Sequence, residues 1–226
     1  MLATAEMLAA ILWDHDGVLV DTERLYFQAN REQLARVGVD LTLDLYRQLL
    51  LVDNRGAWHL AEERGVSRER IDALRAERDR RYQEALTQGN VLVPNALEVL
   101  ARLGPHYRMA VVTSSKRQHF GAIHQKTALR SLVEFVLVRE DYQRSKPDPE
   151  PYRMALTRLG LSPEQCLVVE DSQRGLMAAH AAGLRCWIVR TELTQGLDFS
   201  AAEQCFDNLG QVENALMQEP RPRDGC

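Results

Sequence analysis

The stretch that decides the fold is Ile11-Leu12-Trp13-Asp14-His15-Asp16-Gly17-Val18-Leu19-Val20-Asp21-Thr22. An apolar run ends there in two aspartates that are separated by one residue and followed by glycine. Residues i and i+2 of a strand point to the same side, so Asp14 and Asp16 are predicted to approach one reacting group at a strand end. Gly17 allows the chain to leave the strand with a backbone conformation that other residues resist. Because Asp-Gly is also a common turn pair, the stretch alone leaves a purely structural interpretation open.

The composition limits the classes of protein to which the chain can belong. Its 226 residues, 45% of them hydrophobic, are enough for one large domain or a domain with an insert. A formal net charge of −4 without a basic block argues against nucleic acid or an anionic membrane as partner. No apolar run reaches the ~20 residues of a membrane span, and residues 1–10 lack the basic start of a secretory signal. The scattered cysteines indicate reduced thiols in a cytoplasmic protein rather than zinc ligands or disulfides; they are Cys166, Cys186, Cys205 and Cys226.

The hydrophobic pattern predicts strands that alternate with helices, which implies an α/β fold with a parallel sheet covered by helices on both faces. The predicted strands are 8–13, 109–112, 135–138, 167–169 and 186–189, and the helices between and after them are 96–103, 116–129, 149–159, 172–182 and 208–217.

The segment between the first two strands has a different pattern. Residues 22–90 carry apolar side chains at helical spacing, with helices predicted up to Gly38, over 43–51, over 56–64 and from a Ser67 N-cap onward. The prediction is therefore an all-helical domain over 22–90, inserted into a core domain made of residues 1–21 and 91–226.

Polar residues follow three of the predicted strands, at the sheet edge where such folds bind ligands. They are Asp14 and Asp16, Thr113 and Ser114, and Glu170 and Asp171, and a proline-stiffened loop, Ser145-Lys146-Pro147-Asp148-Pro149, adds Lys146. Two carboxylates ~4 Å apart repel by about 4 kcal/mol at an effective dielectric of 20, and a divalent cation removes that cost. All-oxygen ligands favour Mg²⁺, and Thr113 and Lys146 could then bind a phosphoryl group.

Four motifs together resemble the haloacid dehalogenase superfamily of phosphotransferases, in its beta-phosphoglucomutase and sugar-phosphatase branch. The motifs are the stretch from Asp14 to Glu23, Thr113-Ser114-Ser115, Lys146-Pro147-Asp148-Pro149, and Val169-Glu170-Asp171-Ser172-Gln173-Arg174-Gly175. The resemblance covers the core and implies a Rossmann-like domain whose helical cap is inserted after the first motif, which agrees with the insert predicted above.

The resemblance also implies residue roles. Asp14 would be the nucleophile that becomes an aspartyl-phosphate, and Asp16 the general acid and base. The carboxylates of Asp14 and Asp171 and the backbone carbonyl of Asp16 would hold Mg²⁺, with Glu170 supporting that shell. The remaining predicted site residues would bind the phosphoryl group or the rest of the substrate: Thr113, Lys146, Ser114, Ser115, Lys116 and, from the insert, Arg55.

The predicted function is a Mg²⁺-dependent phosphatase for a small phosphate ester, of a sugar or a similar metabolite, and a monomer is compatible with the sequence. The alternatives are a phosphomutase of the beta-phosphoglucomutase type, a 2-haloacid dehalogenase and a non-enzymatic binding protein. The resemblance favours a hydrolase over a mutase, because Tyr26 stands where the mutase pattern has a histidine, twelve residues after Asp14.

His15 departs from the family, which usually has an apolar residue there. Strand alternation predicts that it faces away from Asp14 and Asp16 as a hydrogen-bonded core residue. The other histidines show no metal-like spacing and are predicted to be structural; they are His59, His106, His119, His124 and His180.

Overall fold

The chain divides into two compact units, Met1–Val20 with Leu92–Cys226, and Asp21–Val91. The computed structural model describes residues 7–53, 55–125 and 127–219. Residues 1–6, 54, 126 and 220–226 belong to the predicted domain ranges, and the last of these segments includes Cys226, but they lie outside the described residues. The role of a cap for residues 22–90 stays a prediction.

The first unit contains a six-stranded sheet in which every neighbouring pair of strands is parallel, so the predicted α/β fold is confirmed. The strands are β1 Ala10–Trp13, β2 Arg108–Val112, β3 Phe135–Leu137, β4 Cys166–Glu170, β5 Arg185–Val189 and β6 Gln204–Phe206. Their order is β3-β2-β1-β4-β5-β6, which places β1 in the middle. The edge strand β6 was not predicted, because its three residues are half-buried or exposed and show no apolar run.

The helices are α1 Glu23–Ala35, α2 Leu43–Tyr46, α3 His59–Glu62, α4 Arg68–Gln88, α5 Ala96–Leu103, α6 Arg117–His124, α7 Glu150–Leu159, α8 Gln173–Ala181 and α9 Leu209–Leu216. The helix predicted over 43–51 is formed by α2 and by a π-helix, Arg47–Val52, that follows it directly. Two other predicted helices are shorter than expected, since the segment 56–64 is α-helical only in α3 and the segment 116–129 only in α6. After α6, the hydroxyl of Thr127 bonds to the His124 ring and to the backbone N–H of Leu129, which offers the chain an alternative to further helix.

Helices cover both faces of the sheet. Ile11 and Trp13 of β1 pack in one apolar cluster with side chains of α5 and α9, while Ala10 and Leu12 pack in a second with α7 and α8. Alternate residues of β1 thus serve opposite cores, which explains why the strand is apolar without alternation.

The second unit is helical. Helices α1 and α4 pack against each other, and α4 buries four side chains along its 21 residues. The predicted N-cap of α4 is confirmed, because the hydroxyl of Ser67 accepts a hydrogen bond from the backbone N–H of Arg70 at 3.3 Å. Much of the rest of α4 is exposed, as its Arg/Glu-rich sequence predicts.

None of the helices formed by the described residues has the length and apolar character that a bilayer span requires. Cys166, Cys186 and Cys205 are free thiols, as predicted.

Candidate active site

The site lies in the first unit, at the carboxyl ends of the three central strands. The backbone N–H of Asp14, just after β1, donates to the carbonyl of Val169 in β4 at 2.8 Å. The N–H of Thr113, just after β2, donates to the carbonyl of Leu137 in β3 at 2.9 Å. These bonds continue the sheet ladder by one residue, so they fix the positions of Asp14 and Thr113.

Lys146 joins two carboxylates below the surface. Its Nζ donates to Asp14 Oδ1 at 2.6 Å, to Glu170 Oε1 at 2.7 Å and to the carbonyl of Val112 at 2.8 Å. Only 3% of Lys146 is exposed. An ammonium group has three donors, and all three are used here. Lys146 is therefore held in one position, at the predicted nucleophile.

Glu170 is fully buried and held at both oxygens. Its Oε1 also accepts from the hydroxyl of Tyr152 at 2.8 Å, and its Oε2 from the hydroxyl of Ser172 at 3.0 Å. Helix α8 approaches so closely that a Cβ at Gly175 would lie 1.9 Å from the Glu170 carboxyl carbon. Because donors occupy both oxygens, the Glu170 carboxylate is held in one position. Its predicted role, to support the residues around it, is compatible with this arrangement and stays a prediction.

Asp16 is held by two hydroxyl groups and an imidazole. Its Oδ2 accepts from the hydroxyl of Ser115 at 2.8 Å, from the hydroxyl of Thr113 at 3.2 Å, and lies 3.2 Å from Nδ1 of His15. The prediction that His15 faces away from Asp16 is wrong. Strand β1 ends at Trp13, and the alternation on which the prediction rested does not continue past the strand end.

The donor set of this edge fits a divalent cation. Asp14, Glu170 and Asp171 each offer a carboxylate oxygen, and these oxygens lie within 4.8 Å of one another. Gly17 adopts a φ of +85°, and a Cβ there would lie 1.9 Å from Oδ2 of Asp171, so only glycine leaves room for this carboxylate. Lys146 is shared by two of these carboxylates, Asp14 and Glu170, which leaves an excess of negative charge among these three groups and offers hard oxygen ligands.

The pKa values reflect that excess. Burial, together with the charge of Glu170, raises the pKa of Asp14 to about 7. Burial would lower the pKa of Lys146, but the carboxylates of Asp14 and Glu170 outweigh it and raise that pKa. Against its own burial, Glu170 has a lowered pKa because of Lys146 and the hydrogen bonds it accepts. The Lys146–Glu170 pair is thus ionised, whereas Asp14 keeps its proton up to about pH 7, and a cation beside it would favour its ionised form.

Three further predicted residues take no part in the hydrogen bonds just described. Ser114 is half-buried between Thr113 and Ser115. Lys116 is exposed and immediately precedes α6. Arg55 belongs to the second unit, where it is exposed and its backbone N–H donates to the carbonyl of Leu49 at 2.8 Å. Their roles in binding a substrate stay predictions.

Two tyrosines and one histidine complete the site without having been predicted. Tyr152 of α7 donates to Glu170, and the hydroxyl of Tyr142 donates to the carbonyl of Thr113 at 2.8 Å. Tyr142 follows the charged residues 139–141 and Tyr152 lies in a helix-forming segment, so nothing in the sequence marks their hydroxyl groups as functional. His15 differs from the apolar residue that is usual in the family, and this difference is the sequence signal that could have identified it.

Comparisons with known proteins agree with this geometry. A profile of the haloacid dehalogenase-like hydrolases matches residues 11–189. This chain belongs to that family. The predicted membership is therefore confirmed, as is the prediction that the chain is an enzyme of this hydrolase class. The matched range includes every site residue described above.

Individual relatives are similar along most of their length. The chain is 35% identical to the protein CbbY of Rhodobacter capsulatus over 224 residues, 94% of this chain and 98% of that protein. It is 30% identical over 180 residues to the phosphorylated carbohydrates phosphatase of Thermotoga maritima, 78% of this chain and 82% of that protein. A crystal structure of a CbbY variant from Rhodobacter sphaeroides in complex with xylulose-(1,5)bisphosphate has a TM-score of 0.74 and 27% identity, and the match covers 91% of this chain and 96% of that chain.

Proposed function

We propose that this protein is a Mg²⁺-dependent phosphatase that hydrolyses the phosphate monoester of a sugar through an aspartyl-phosphate on Asp14. The observation that carries the proposal is the buried Lys146, whose ammonium group contacts both Asp14 and Glu170. A carboxylate held rigidly beside a fixed positive charge is suited to attack a phosphoryl group, because the charge stabilises the transferring oxygens. Two relatives support a phosphorylated sugar as substrate: the phosphorylated carbohydrates phosphatase, and the CbbY variant whose crystal structure contains xylulose-(1,5)bisphosphate.

The residues divide the work of the reaction between them. In the first step the Asp14 carboxylate attacks phosphorus, and Asp16 gives a proton to the departing sugar oxygen. In the second step Asp16 takes a proton from water, which attacks the aspartyl-phosphate and releases inorganic phosphate. The hydroxyl of Thr113, the backbone N–H of Ser114 and Lys146 bind the phosphoryl oxygens during both steps.

Magnesium fits the donor set described above. The carboxylates of Asp14 and Asp171 and the backbone carbonyl of Asp16 would hold it, and Glu170 would keep Lys146 and the Asp171 segment in place. When bound, the cation neutralises charge on Asp14 and on the phosphoryl oxygens. The helical unit, Asp21–Val91, would act as a cap that selects the sugar, with Arg55 as one contact.

The contacts of Tyr26 favour hydrolysis over a phosphomutase reaction. Its hydroxyl accepts a hydrogen bond from Arg78 at 2.8 Å, and its ring packs edge-to-face on Tyr82. The same guanidinium lies 4.9 Å from the centre of the Tyr26 ring. Tyr26 is thus a packing residue of the helical unit, and a phenol with a pKa near 10 cannot replace an imidazole in proton sharing at neutral pH.

The test is phosphate release from a panel of sugar phosphates, including xylulose 1,5-bisphosphate, with Mg²⁺ or with EDTA. We expect release only with Mg²⁺, and a loss of at least about 10³-fold in Asp14→Asn, because an amide of equal size is no nucleophile. Asp40→Asn removes an exposed carboxylate and serves as the control with full activity. Substantial activity in Asp14→Asn, or in EDTA, would refute the mechanism.

The mutase alternative has its own test. The enzyme is mixed with beta-glucose 1-phosphate, a trace of glucose 1,6-bisphosphate and Mg²⁺. Glucose 6-phosphate that forms much faster than free phosphate would show a mutase.

A further inference from the structure

A line of hydrogen bonds leads away from Asp16 into the protein. His15 is completely buried, with its Nδ1 3.2 Å from Asp16 Oδ2 and its Nε2 2.7 Å from Nε2 of His124. The other ring nitrogen of His124, Nδ1, lies 2.7 Å from the hydroxyl oxygen of Thr127. Four side chains from three parts of the first unit are thereby joined in sequence.

Only one direction of donation is compatible with neutral rings. A carboxylate oxygen can only accept, so Nδ1 of His15 carries the hydrogen, and Nε2 of the same ring is then an acceptor. Nε2 of His124 must donate to it, which makes Nδ1 of His124 an acceptor for the hydroxyl hydrogen of Thr127. Burial lowers the pKa of His124 to about 3, which agrees with a neutral ring at this position.

The two rings are also fixed by packing. Phe120 of α6 lies with its ring centre 5.0 Å from that of His15 and 4.5 Å from that of His124. Both imidazoles therefore pack against the same phenyl ring, which restricts their rotation. The hydrogen bonds and the packing therefore define one arrangement of the pair.

We propose that His15 is a positioning residue for Asp16, and that His124 and Thr127 set its tautomer. The inference rests on the proposed function, in which Asp16 is the general acid and base. His15, Thr113 and Ser115 hold one oxygen of that carboxylate, so its rotation is restricted before a substrate arrives.

The tautomers can be measured without any assay of activity. Long-range ¹H–¹⁵N NMR spectra of the ¹⁵N-labelled protein distinguish the two nitrogens of each imidazole. We expect hydrogen on Nδ1 of His15 and on Nε2 of His124. A doubly protonated His15, or hydrogen on its Nε2 alone, would overturn the proposal. This outcome does not depend on whether the enzyme is a phosphatase.

The kinetic test compares three variants of α6. His124→Leu removes the donor to His15, whereas His124→Gln places an amide donor near the position of Nε2. His119→Leu removes another buried histidine of the same helix and controls for lost packing. We expect kcat/KM for the best sugar phosphate to fall about tenfold in His124→Leu, to recover to within about threefold of wild type in His124→Gln, and to stay near wild type in His119→Leu.

A second substrate separates positioning of an acid from general damage to the site. The aryl oxygen of para-nitrophenyl phosphate leaves without protonation, so its phosphoryl transfer needs Asp16 less than that of a sugar phosphate does. We expect His124→Leu to lower kcat/KM for the aryl ester less than threefold. Equal losses for both substrates, no recovery in His124→Gln, or an equal loss in His119→Leu would each contradict the proposal. If wild type released no phosphate from any ester, the proposed function would be refuted. The tautomer measurement would still show whether the hydrogen bonds from Asp16 to Thr127 run in the proposed direction.

Discussion

The two units of this protein use the same charged groups in opposite ways. In the sheet unit, Lys146 is buried and its ammonium group is shared by Asp14, Glu170 and a backbone carbonyl. In the helical unit, Glu77 on α4 accepts hydrogen bonds from Arg80 and Arg81, and both arginines are exposed while Glu77 is partly exposed. Both clusters shift pKa values, and the arginines lower the pKa of Glu77 to about 2.

Burial decides what these charges do. Water screens the charges on α4 and can replace any partner that is removed. The carboxylates of Asp14 and Glu170 at the sheet edge are buried, so water does not compensate a lost partner; they depend on Lys146 and, in the proposed mechanism, on a cation. A pKa shift alone therefore does not identify a functional group, whereas a shift in a buried, fully hydrogen-bonded cluster does.

The largest effect on stability is expected from removing the shared charge. Lys146→Met leaves Glu170 and Asp14 facing each other below the surface, and the free energy of unfolding should fall by about 3 to 5 kcal/mol. Urea unfolding without metal measures this. Adding Glu170→Gln removes one of the stranded carboxylates and should restore more than about 1 kcal/mol. Lys116→Met, which changes an exposed lysine, should stay within about 0.5 kcal/mol of wild type, and a similar loss in both single variants would contradict the comparison.

The next effect comes from closing the space beside Glu170. A Cβ in Gly175→Ala would lie 1.9 Å from the carboxyl group, which is held at both oxygens and cannot simply move aside. We expect a loss of about 1 to 3 kcal/mol and a strong loss of activity. Gly121→Ala on α6 is the matched control, because its Cβ would meet nothing within 4 Å and alanine favours a helix by about 0.5 to 1 kcal/mol. Equal free energies of unfolding of the two variants in urea would show that the close approach of α8 to Glu170 does not affect stability.

These residues also show what the sequence could and could not predict. The positions of Asp14, Thr113 and Glu170 in the fold were predictable, because parallel strands bring their carboxyl ends to one edge of the sheet. Tyr152 was not, since a tyrosine on the apolar face of a helix looks the same whether or not its hydroxyl group meets a carboxylate. The alternation rule failed at His15 because the strand ends two residues earlier, and a rule for strands says nothing about the turn that follows. Strand β6 lacks an apolar run that would mark it, and the end of α6 depends on the hydrogen bonds of Thr127, which leave little trace in hydrophobicity.

A third effect, of similar size, should have the opposite sign and depend on pH. The pKa of Asp14 is about 7 in the folded protein against 3.8 as an ordinary value, so the unfolded chain releases this proton first as the pH rises. The stability that Asp14 contributes below pH 4 is therefore lost between about pH 4 and 7 in the metal-free protein. Asp14→Asn lacks this loss and should be more stable than wild type at pH 8 by about 1 to 3 kcal/mol.

Thermal unfolding in EDTA at pH 5, 6, 7 and 8 tests the sign. The advantage of Asp14→Asn should grow with pH, and Mg²⁺ should abolish it by stabilising wild type alone. An advantage that is constant over this range, or that shrinks as the pH rises, would show that Asp14 is ionised in the folded protein at low pH.

The smallest effect is expected from the exposed network of α4. Arg80 donates to both oxygens of Glu77 and reaches Glu84 one turn further on, so by a count of contacts Arg80→Ala loses as much as Lys146→Met. Glu77 keeps Arg81, however, and water hydrates every group that the change exposes. Alanine is also the better helix former, which offsets part of any loss. We expect Tm to change by less than about 2 °C at low salt, and the difference to vanish in 0.5 M NaCl because the charges are screened. A decrease that approaches that of Lys146→Met and persists in high salt would mean that the arrangement of the charges, and not their burial, governs their contribution in this protein.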